Sequence, residues 1–168
     1  MKKTALITGA GTGIGRALSE FLIEAGLQVI AVGRRPQPLE SLRASHPDAV
    51  VAVSADVGTE AGRLAIAEAV SGAVLNLLVH NAAVLEPAGP LAEMSLEAWR
   101  EHQAINLEGP LFLTQALLPR LESGSRILHI SSGAAHTAIQ GWAAYCLSKA
   151  ALHMGYQCWR NELQARSV

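Results

Sequence analysis

The sequence predicts an α/β fold in which a doubly wound parallel sheet lies between two helical layers, in one domain spanning residues 1–168. Short apolar and β-branched runs alternate with segments of helical periodicity, and such alternation requires right-handed crossovers and a parallel sheet. Half of the residues are apolar and only 16% are charged, which is typical of strands covered on both faces. The length suffices for one hydrophobic core.

The predicted strands are short runs rich in Val, Ile and Leu, and most of them end at polar or glycine residues. Pro36 and Pro38 begin a short helix, and Ser95 is a candidate N-cap for the longest one. Gly109-Pro110 is expected to kink that helix. In chain order the predicted elements are a strand at 5–7, a helix at 16–25, a strand at 27–32, a helix at 36–43, a strand at 49–53, a helix at about 59–71, a strand at 74–79, a helix at 95–121, a strand at 126–130 and a helix from about 141 onward.

A glycine-rich segment, residues 8–15 (Thr-Gly-Ala-Gly-Thr-Gly-Ile-Gly), joins the first strand to the first helix. Glycines let a pyrophosphate approach the backbone, and the amides and dipole of a helix start attract anions. A tight turn without ligand is the alternative interpretation. Because Ile14-Gly15-Arg16 replaces the G-K-[S/T] ending, a nucleotide triphosphatase loop is excluded. A Rossmann-like dinucleotide site is predicted, with these candidate contacts: Gly9, Thr12, Gly13, Ile14 and Gly15.

Polar residues also follow the other predicted strands. Arg34 follows the second strand, Asp56 the third, Asn81 the fourth and Ser132 the fifth. Ligands of doubly wound sheets bind outside the carboxyl ends of the strands. This clustering therefore predicts a cofactor crevice along that edge.

Tyr145 and Lys149 are four positions apart on the last predicted helix, so their side chains share one face. An ammonium near a phenol favours the phenolate. Tyr145 would then be suited to act as a general acid for a carbonyl oxygen, or as a base for an alcohol, and Ser132 is placed to hold that oxygen. The alternative is a packed tyrosine beside a solvated lysine.

Taken together and in order, these motifs resemble the classical short-chain dehydrogenase/reductase family, from Thr4 to the end of the chain. The family's T-G-x-x-x-G-x-G matches residues 8–15, its N-N-A-G matches residues 80–83 (His-Asn-Ala-Ala), and its Y-x-x-x-K matches residues 145–149. The family serine precedes the tyrosine by thirteen residues (145 − 132 = 13), which selects Ser132 rather than Ser131. His80 and Ala83 depart from the motif on the cofactor wall.

The resemblance implies a catalytic tetrad of Asn106, Ser132, Tyr145 and Lys149. Tyr145 would be the acid/base, Lys149 would bind the nicotinamide ribose, Ser132 would polarise the substrate carbonyl and Asn106 would support a water-linked proton relay. A tolerated polar residue before Gly109-Pro110 is the alternative for Asn106. The implied cofactor contacts beyond the glycine segment are Arg34, Arg35, Asp56, Val57, Asn81, Ala82, Ala83, Tyr145 and Lys149.

Residues 33–35, Gly-Arg-Arg, occupy the position where a carboxylate would bind a ribose 2′-hydroxyl and reject a 2′-phosphate. Arginine offers planar donors to phosphate instead. NADP(H) is therefore favoured over NAD(H) as the cofactor. The alternative is a pair of solvated surface arginines.

Composition excludes several other classes of function. The net charge of −1 provides no electrostatic footprint for nucleic acid or for an anionic membrane, which favours a small-molecule carbonyl or alcohol substrate. The histidines lack the spacing of metal ligands, so no metal site is predicted and they are interpreted as structural or surface residues. Cys146 and Cys158 do not suggest a disulfide framework, and a cytoplasmic location is expected.

Family members continue beyond the tyrosine helix with further strands. This chain is therefore expected to be truncated at its carboxyl end, and a catalytically impaired nucleotide-binding or interaction protein is the alternative to an enzyme. A homodimer or homotetramer is expected through helix 95–121 and the tyrosine helix. The apolar residues expected at that interface are Leu111, Leu113, Ala150 and Leu152.

Residues 141–151 resemble the corresponding stretch of sepiapterin reductases and the related benzil reductases, with the pattern G-W-x-x-Y-C-x-x-K-A-A. This similarity implies a substrate carbonyl that lies next to a second carbonyl or within a heteroaromatic ring. Trp142 would supply an apolar wall for a flat ring. A core tryptophan under the helix start is the alternative.

Overall fold

The computed structural model describes residues 2–70 and 72–168. Five parallel strands form one sheet in the order β3-β2-β1-β4-β5, which confirms the predicted doubly wound fold. The strands are β1 Thr4–Thr8, β2 Gln28–Gly33, β3 Val50–Ser54, β4 Leu77–His80 and β5 Arg126–His129. The α-helices are α1 Gly13–Glu24, α2 Pro36–Ser45, α3 Glu60–Ala69, α4 Leu96–Gln103, α5 Gly109–Leu117 and α6 Ala143–Leu163. The predicted end of the third helix, Ser71, lies outside the described residues.

Two hydrophobic clusters cover the two faces of the sheet. Successive strand residues point to opposite faces, so Leu6 of β1 belongs to the cluster with α3 and α5, whereas Ile7 belongs to the cluster with α1 and α2. Both side chains are fully buried. The sheet is therefore the middle of three layers, and ligand access is left at its edges.

The fourth strand begins at Leu77 rather than at the predicted Val74. The Asn76 side-chain oxygen accepts the Thr4 N–H at 2.8 Å, while the Asn76 N–H donates to the Thr4 carbonyl at 2.9 Å. The Asn76 side chain thus accepts the Thr4 N–H in place of the backbone carbonyl that would accept it in a regular strand pair. Regular pairing starts one residue later, at Leu77 opposite Ala5.

The irregularity in this helix lies directly before Gly109-Pro110, where the sequence predicts a kink. A π-helical turn, Ala104–Glu108, separates α4 from α5, and Gly109 has helical torsion angles (φ −51°, ψ −60°). Pro110 then follows the π turn, in the first turn of α5; it has no N–H to donate to the preceding turn, and a π turn is where a helix departs from the regular hydrogen-bond pattern. The π turn carries Asn106, so this irregularity positions a candidate site residue.

The prediction for the oligomer face is partly wrong. Leu113 and Leu152 are buried within the chain itself, at 0% and 4% exposure. Ala150, by contrast, is exposed, and it belongs to a stripe at helical spacing along α6 with Leu147, Ala151 and Met154. In the described ranges, no helix combines the length and apolar character needed to cross a membrane.

Candidate active site

The glycine turn between β1 and α1 has the conformation that its sequence predicts. Gly9 and Gly13 have positive φ angles of 68° and 55°, a region that side chains rarely adopt. A Cβ on Gly15 would collide with the Gly9 carbonyl and would lie 2.5 Å from the Asn81 amide nitrogen. Glycines are therefore required for the close approach of the turn to the start of α1.

Asn81, at the carboxyl end of β4, holds this turn from the side. Its Nδ2 donates to the carbonyls of Thr8 at 2.9 Å and Gly9 at 3.2 Å. The Thr8 hydroxyl oxygen accepts the backbone N–H groups of Asn81 and Ala82, each at 3.1 Å. The turn and the strand next to it thus form one hydrogen-bonded unit.

A cleft of about 400 Å³ lies along this edge of the sheet. It unites most of the predicted cofactor contacts: Gly9, Thr12, Arg34, Arg35, Asp56, Val57, Asn81, Ala82 and Ala83. Within the described residues, the lining does not include Gly13, Ile14 or Gly15, nor does it include Ser132, Tyr145 or Lys149. The predicted residues therefore divide between this cleft and a second group, in which Ser132 follows β5 and Tyr145 and Lys149 lie on α6.

Sequence reasoning missed other residues of the cleft wall: Gly11, Val32, Gly33, Pro38, Ala55, Val84 and Ile105. Most lie within three positions of a predicted contact. The position of Val84 after Asn81 was a usable signal, because the chain that leaves a strand end continues along the same edge. Ile105 carries no such signal, since the π turn brings it to the cleft.

Arg34 lies at the rim of the cleft. Its Nη1 is 4.0 Å from Asp56 Oδ2, and both side chains are substantially exposed. Exposed pairs at this distance contribute little to stability. Asp56 is also held by the Gly58 N–H, which donates to Oδ1 at 2.8 Å. The guanidinium of Arg34 is thus accessible to a ligand in the cleft.

Tyr145 and Lys149 lie one turn apart on α6, as predicted. The Lys149 Nζ is 5.6 Å from the centre of the Tyr145 ring and donates to the Ile130 carbonyl at 2.9 Å. Lys149 is 4% exposed, and this burial lowers the pKa of its ammonium group. The carbonyl beyond β5 therefore holds a cation beside the phenol.

Ser132 follows β5 and caps a short 3-10 turn, Gly133–Ala135. Its Oγ accepts the Ala134 N–H at 3.2 Å. A hydroxyl that accepts this bond still has its hydrogen to donate. The turn packs against α6, where the Cys146 thiol lies 3.7 Å from the Thr137 carbonyl.

Asn106 is buried in the π turn at 1% exposure. Its Oδ1 accepts the Val84 N–H at 2.9 Å and its Nδ2 donates to the Val84 carbonyl at 2.8 Å. Because Val84 offers one donor and one acceptor, this double contact fixes the orientation of the amide. Asn106 thereby ties the helix to the wall of the cleft.

The buried His80 and the half-buried His129 form a pair on the last two strands of the sheet. His80 and His129 are register partners on β4 and β5, and their rings stack at 4.7 Å with an angle of 24°. His80 Nε2 lies 2.8 Å from the Thr114 hydroxyl. Both ring nitrogens of His129 are buried without a hydrogen-bond partner among the described residues. A charged His129 would have no acceptor there.

This environment keeps both rings neutral. Burial, followed by the nearby Lys149 charge, lowers the pKa of His129 from 6.5 to about 4. Burial, followed by His129, lowers the pKa of His80 well below its ordinary value. The pair is a contact between β4 and β5, and the interpretation of His129 as a structural or surface residue stays a prediction.

A parallel sheet with a glycine turn at its carboxyl edge defines a Rossmann-like α/β protein. Residues 3–168 match the family described as short chain dehydrogenase. The chain belongs to the short-chain dehydrogenase family.

Several relatives extend this comparison. An uncharacterized oxidoreductase of Schizosaccharomyces pombe is 38% identical over 156 residues, which cover 91% of this chain and 62% of the relative. Serine 3-dehydrogenase of Rhizobium radiobacter is 33% identical over 171 residues, covering 100% and 69%. The structure of a short-chain dehydrogenase from Streptomyces avermitilis superposes with a TM-score of 0.92 at 32% identity, covering 98% and 62%. The chain thus spans about two thirds of the length of these relatives.

Proposed function

We propose that this chain belongs to an NADP(H)-dependent oxidoreductase that transfers hydride to a ketone or diketone carbonyl, with Tyr145 as general acid/base. The observation that carries the proposal is the pairing of Tyr145 with the buried Lys149 ammonium, which is held by the Ile130 carbonyl at 2.9 Å. A buried cation next to a phenol has a direct chemical use, because it stabilises the phenolate that proton donation leaves behind.

The cleft fits a dinucleotide. A Cβ at Gly15 would collide with the Gly9 carbonyl, so only glycine allows the turn that brings the start of α1 to the cleft. The backbone amides of that helix start favour a pyrophosphate. Arg34 at the rim offers a planar donor group. The chemistry supplied by the cofactor is hydride transfer to the carbonyl carbon, with oxidation of NADPH to NADP⁺.

The residues of the chain would handle the proton. Ser132 donates its hydroxyl hydrogen to the substrate oxygen, and Tyr145 transfers the phenolic proton to that oxygen as the carbonyl is reduced to the alcohol. Lys149 stabilises the resulting phenolate. Asn106 supports the relay that returns a proton to Tyr145.

The preference for NADP(H) is tested by Arg34→Asp. Wild type is expected to bind NADPH more tightly than NADH, and the substitution should reverse that order, with a loss of about tenfold or more in NADPH affinity from one charged hydrogen bond. Cofactor fluorescence measures both constants. Arg43→Asp, which makes the same charge change on the outer side of α2 where Arg43 pairs with Glu40, is the control. Equal affinities of wild type for the two cofactors would contradict the preference.

The position of Trp142 supports a flat substrate. Its half-buried ring lies edge-on to the Tyr145 ring, with centroids 5.9 Å apart. An aromatic wall beside the acid favours a vicinal diketone or a heteroaromatic carbonyl over a simple aldehyde. NADPH oxidation with α-diketones, pterins, steroids and simple aldehydes should be fastest with the first two classes. If steroids or simple aldehydes give the fastest rates and Trp142→Ala leaves the ranking of the substrates unchanged, this substrate class is refuted.

An oligomer is also proposed, through the exposed apolar stripe on α6 and Phe112 on α5. Leu147, Met154 and Phe112 are 52%, 59% and 48% exposed, and association would remove this surface from water. Sedimentation at micromolar concentration should show a dimer or larger species, and Met154→Asp should shift it toward monomer. Phe21→Asp on α1, where Phe21 is 65% exposed and the helix covers the opposite face of the sheet from α5, is the control. A wild-type monomer would refute this interface.

A further inference from the structure

His102 is a buried polar residue of α4, one turn before Asn106, with 1% exposure. Its Nδ1 lies 2.7 Å from the Glu86 carbonyl oxygen. Its Nε2 lies 2.9 Å from Asn106 Nδ2 and 3.0 Å from Ser148 Oγ. One imidazole therefore contacts three segments: the chain after β4, the π turn and α6.

The partners determine the protonation state of this imidazole. The Glu86 carbonyl can only accept, so Nδ1 carries a hydrogen and donates it. The Asn106 amide nitrogen can only donate, and its orientation is already fixed by Val84. Nε2 must then accept, because a hydrogen on it would face the hydrogens of that amide. His102 is thus the neutral ring with its hydrogen on Nδ1.

Asn106 depends on this acceptor. Its amide nitrogen carries two hydrogens, of which one is donated to the Val84 carbonyl. The second points into the group formed by His102 Nε2 and, at 3.3 Å, Ser148 Oγ. Without His102, only the longer contact to Ser148 Oγ at 3.3 Å would remain for this buried N–H, and a buried N–H without a good acceptor is costly away from water.

The same group reaches the helix of the proposed acid. Ser148 Oγ lies 2.9 Å from the Tyr145 backbone carbonyl, and the His102 and Tyr145 rings meet edge-on at 6.3 Å. A displacement of His102 would therefore disturb the contacts of both Asn106 and the first turn of α6. These two places carry two members of the proposed tetrad.

We propose that His102 is a positioning residue: in a single neutral tautomer it accepts the second amide hydrogen of Asn106 and supports the turn that carries Tyr145. The inference rests on the proposed function for its catalytic consequence, but not for its geometry. His102→Phe keeps an aromatic ring and removes both hydrogen-bonding atoms. His102→Gln retains one hydrogen-bond donor and one acceptor, so it can replace both the bond that the imidazole donates and the bond that it accepts.

Two measurements on the 168-residue chain test the geometry. Long-range ¹H–¹⁵N NMR should show His102 protonated on Nδ1 alone. Hydrogen exchange of the Asn106 side-chain amide should accelerate by about tenfold or more in His102→Phe, as expected for one lost hydrogen bond, and should stay near the wild-type rate in His102→Gln. A hydrogen on Nε2, or equal exchange in wild type and His102→Phe, would overturn the proposal. If His102→Phe does not fold, the tautomer and the His102→Gln exchange rate decide.

Kinetics test the catalytic consequence. NADPH affinity should stay unchanged in both variants, whereas kcat should fall in His102→Phe and stay near the wild-type value in His102→Gln. If only packing of the ring mattered, His102→Phe would be the milder substitution. His153→Gln, on α6 outside this hydrogen-bonded group, is the control. If wild type has no turnover, the proposed function fails while the NMR results still decide the role of His102. Equal kcat values in wild type and His102→Phe would overturn the positioning role.

Discussion

Replacement of Tyr145 by phenylalanine is expected to reduce NADPH-dependent carbonyl reduction by about 10²–10⁴-fold, the usual contribution of a positioned acid. The substitution removes one oxygen and keeps the ring that packs against Trp142. NADPH affinity should therefore stay close to that of wild type. Initial rates of NADPH oxidation with an α-diketone, together with cofactor fluorescence, measure the two effects separately.

Tyr156→Phe is the matched control, because Tyr156 lies on the same helix and packs edge-on against His129 at 5.6 Å. It should keep wild-type turnover. Retention of turnover by Tyr145→Phe would refute the assignment of the acid. Wild-type protein that binds NADPH but reduces no carbonyl of the panel would favour the nucleotide-binding protein over the enzyme.

Acidification from pH 6.5 to about 4 is expected to destabilise the fold through His80 and His129. In this range the unfolded chain binds protons on these histidines, whereas the folded chain keeps the pKa of His129 at about 4 and that of His80 well below its ordinary value. Stability therefore rises with pH through the range and is lost as pH falls. For His129 alone, a pKa difference of about 2.5 (6.5 − 4) corresponds to about 3–4 kcal/mol at about 1.4 kcal/mol per pH unit.

Urea unfolding at several pH values measures this dependence. His129→Phe preserves a ring against His80 and removes one titrating group, so the dependence of the unfolding free energy on pH should become shallower. His46→Gln, at the end of α2 and distant from the pair, should leave it unchanged. If the unfolding free energy depends on pH identically in wild type and His129→Phe, the His80–His129 pair does not control acid stability.

Local chemistry of the sequence is sufficient for much of this protein. Strand and helix order follows from apolar periodicity, and the turn after β1 follows from Gly9 and Gly13, because a positive φ angle is a local property of a glycine residue. The shared face of Tyr145 and Lys149 follows from helical spacing alone. The polar residues after the strands could be assigned to one edge of the sheet, because the carboxyl ends of parallel strands meet at the same edge.

Tertiary packing decided the remainder. Periodicity marks Leu113 and Leu152 as apolar, but only the docking of α5 and α6 shows that they face the chain's own core. The stacking of His80 on His129 depends on strand register, and the contacts of His102 depend on the π turn that aligns α4 with α6. These contacts join residues that are distant in sequence, and local periodicity carries no information about register or docking.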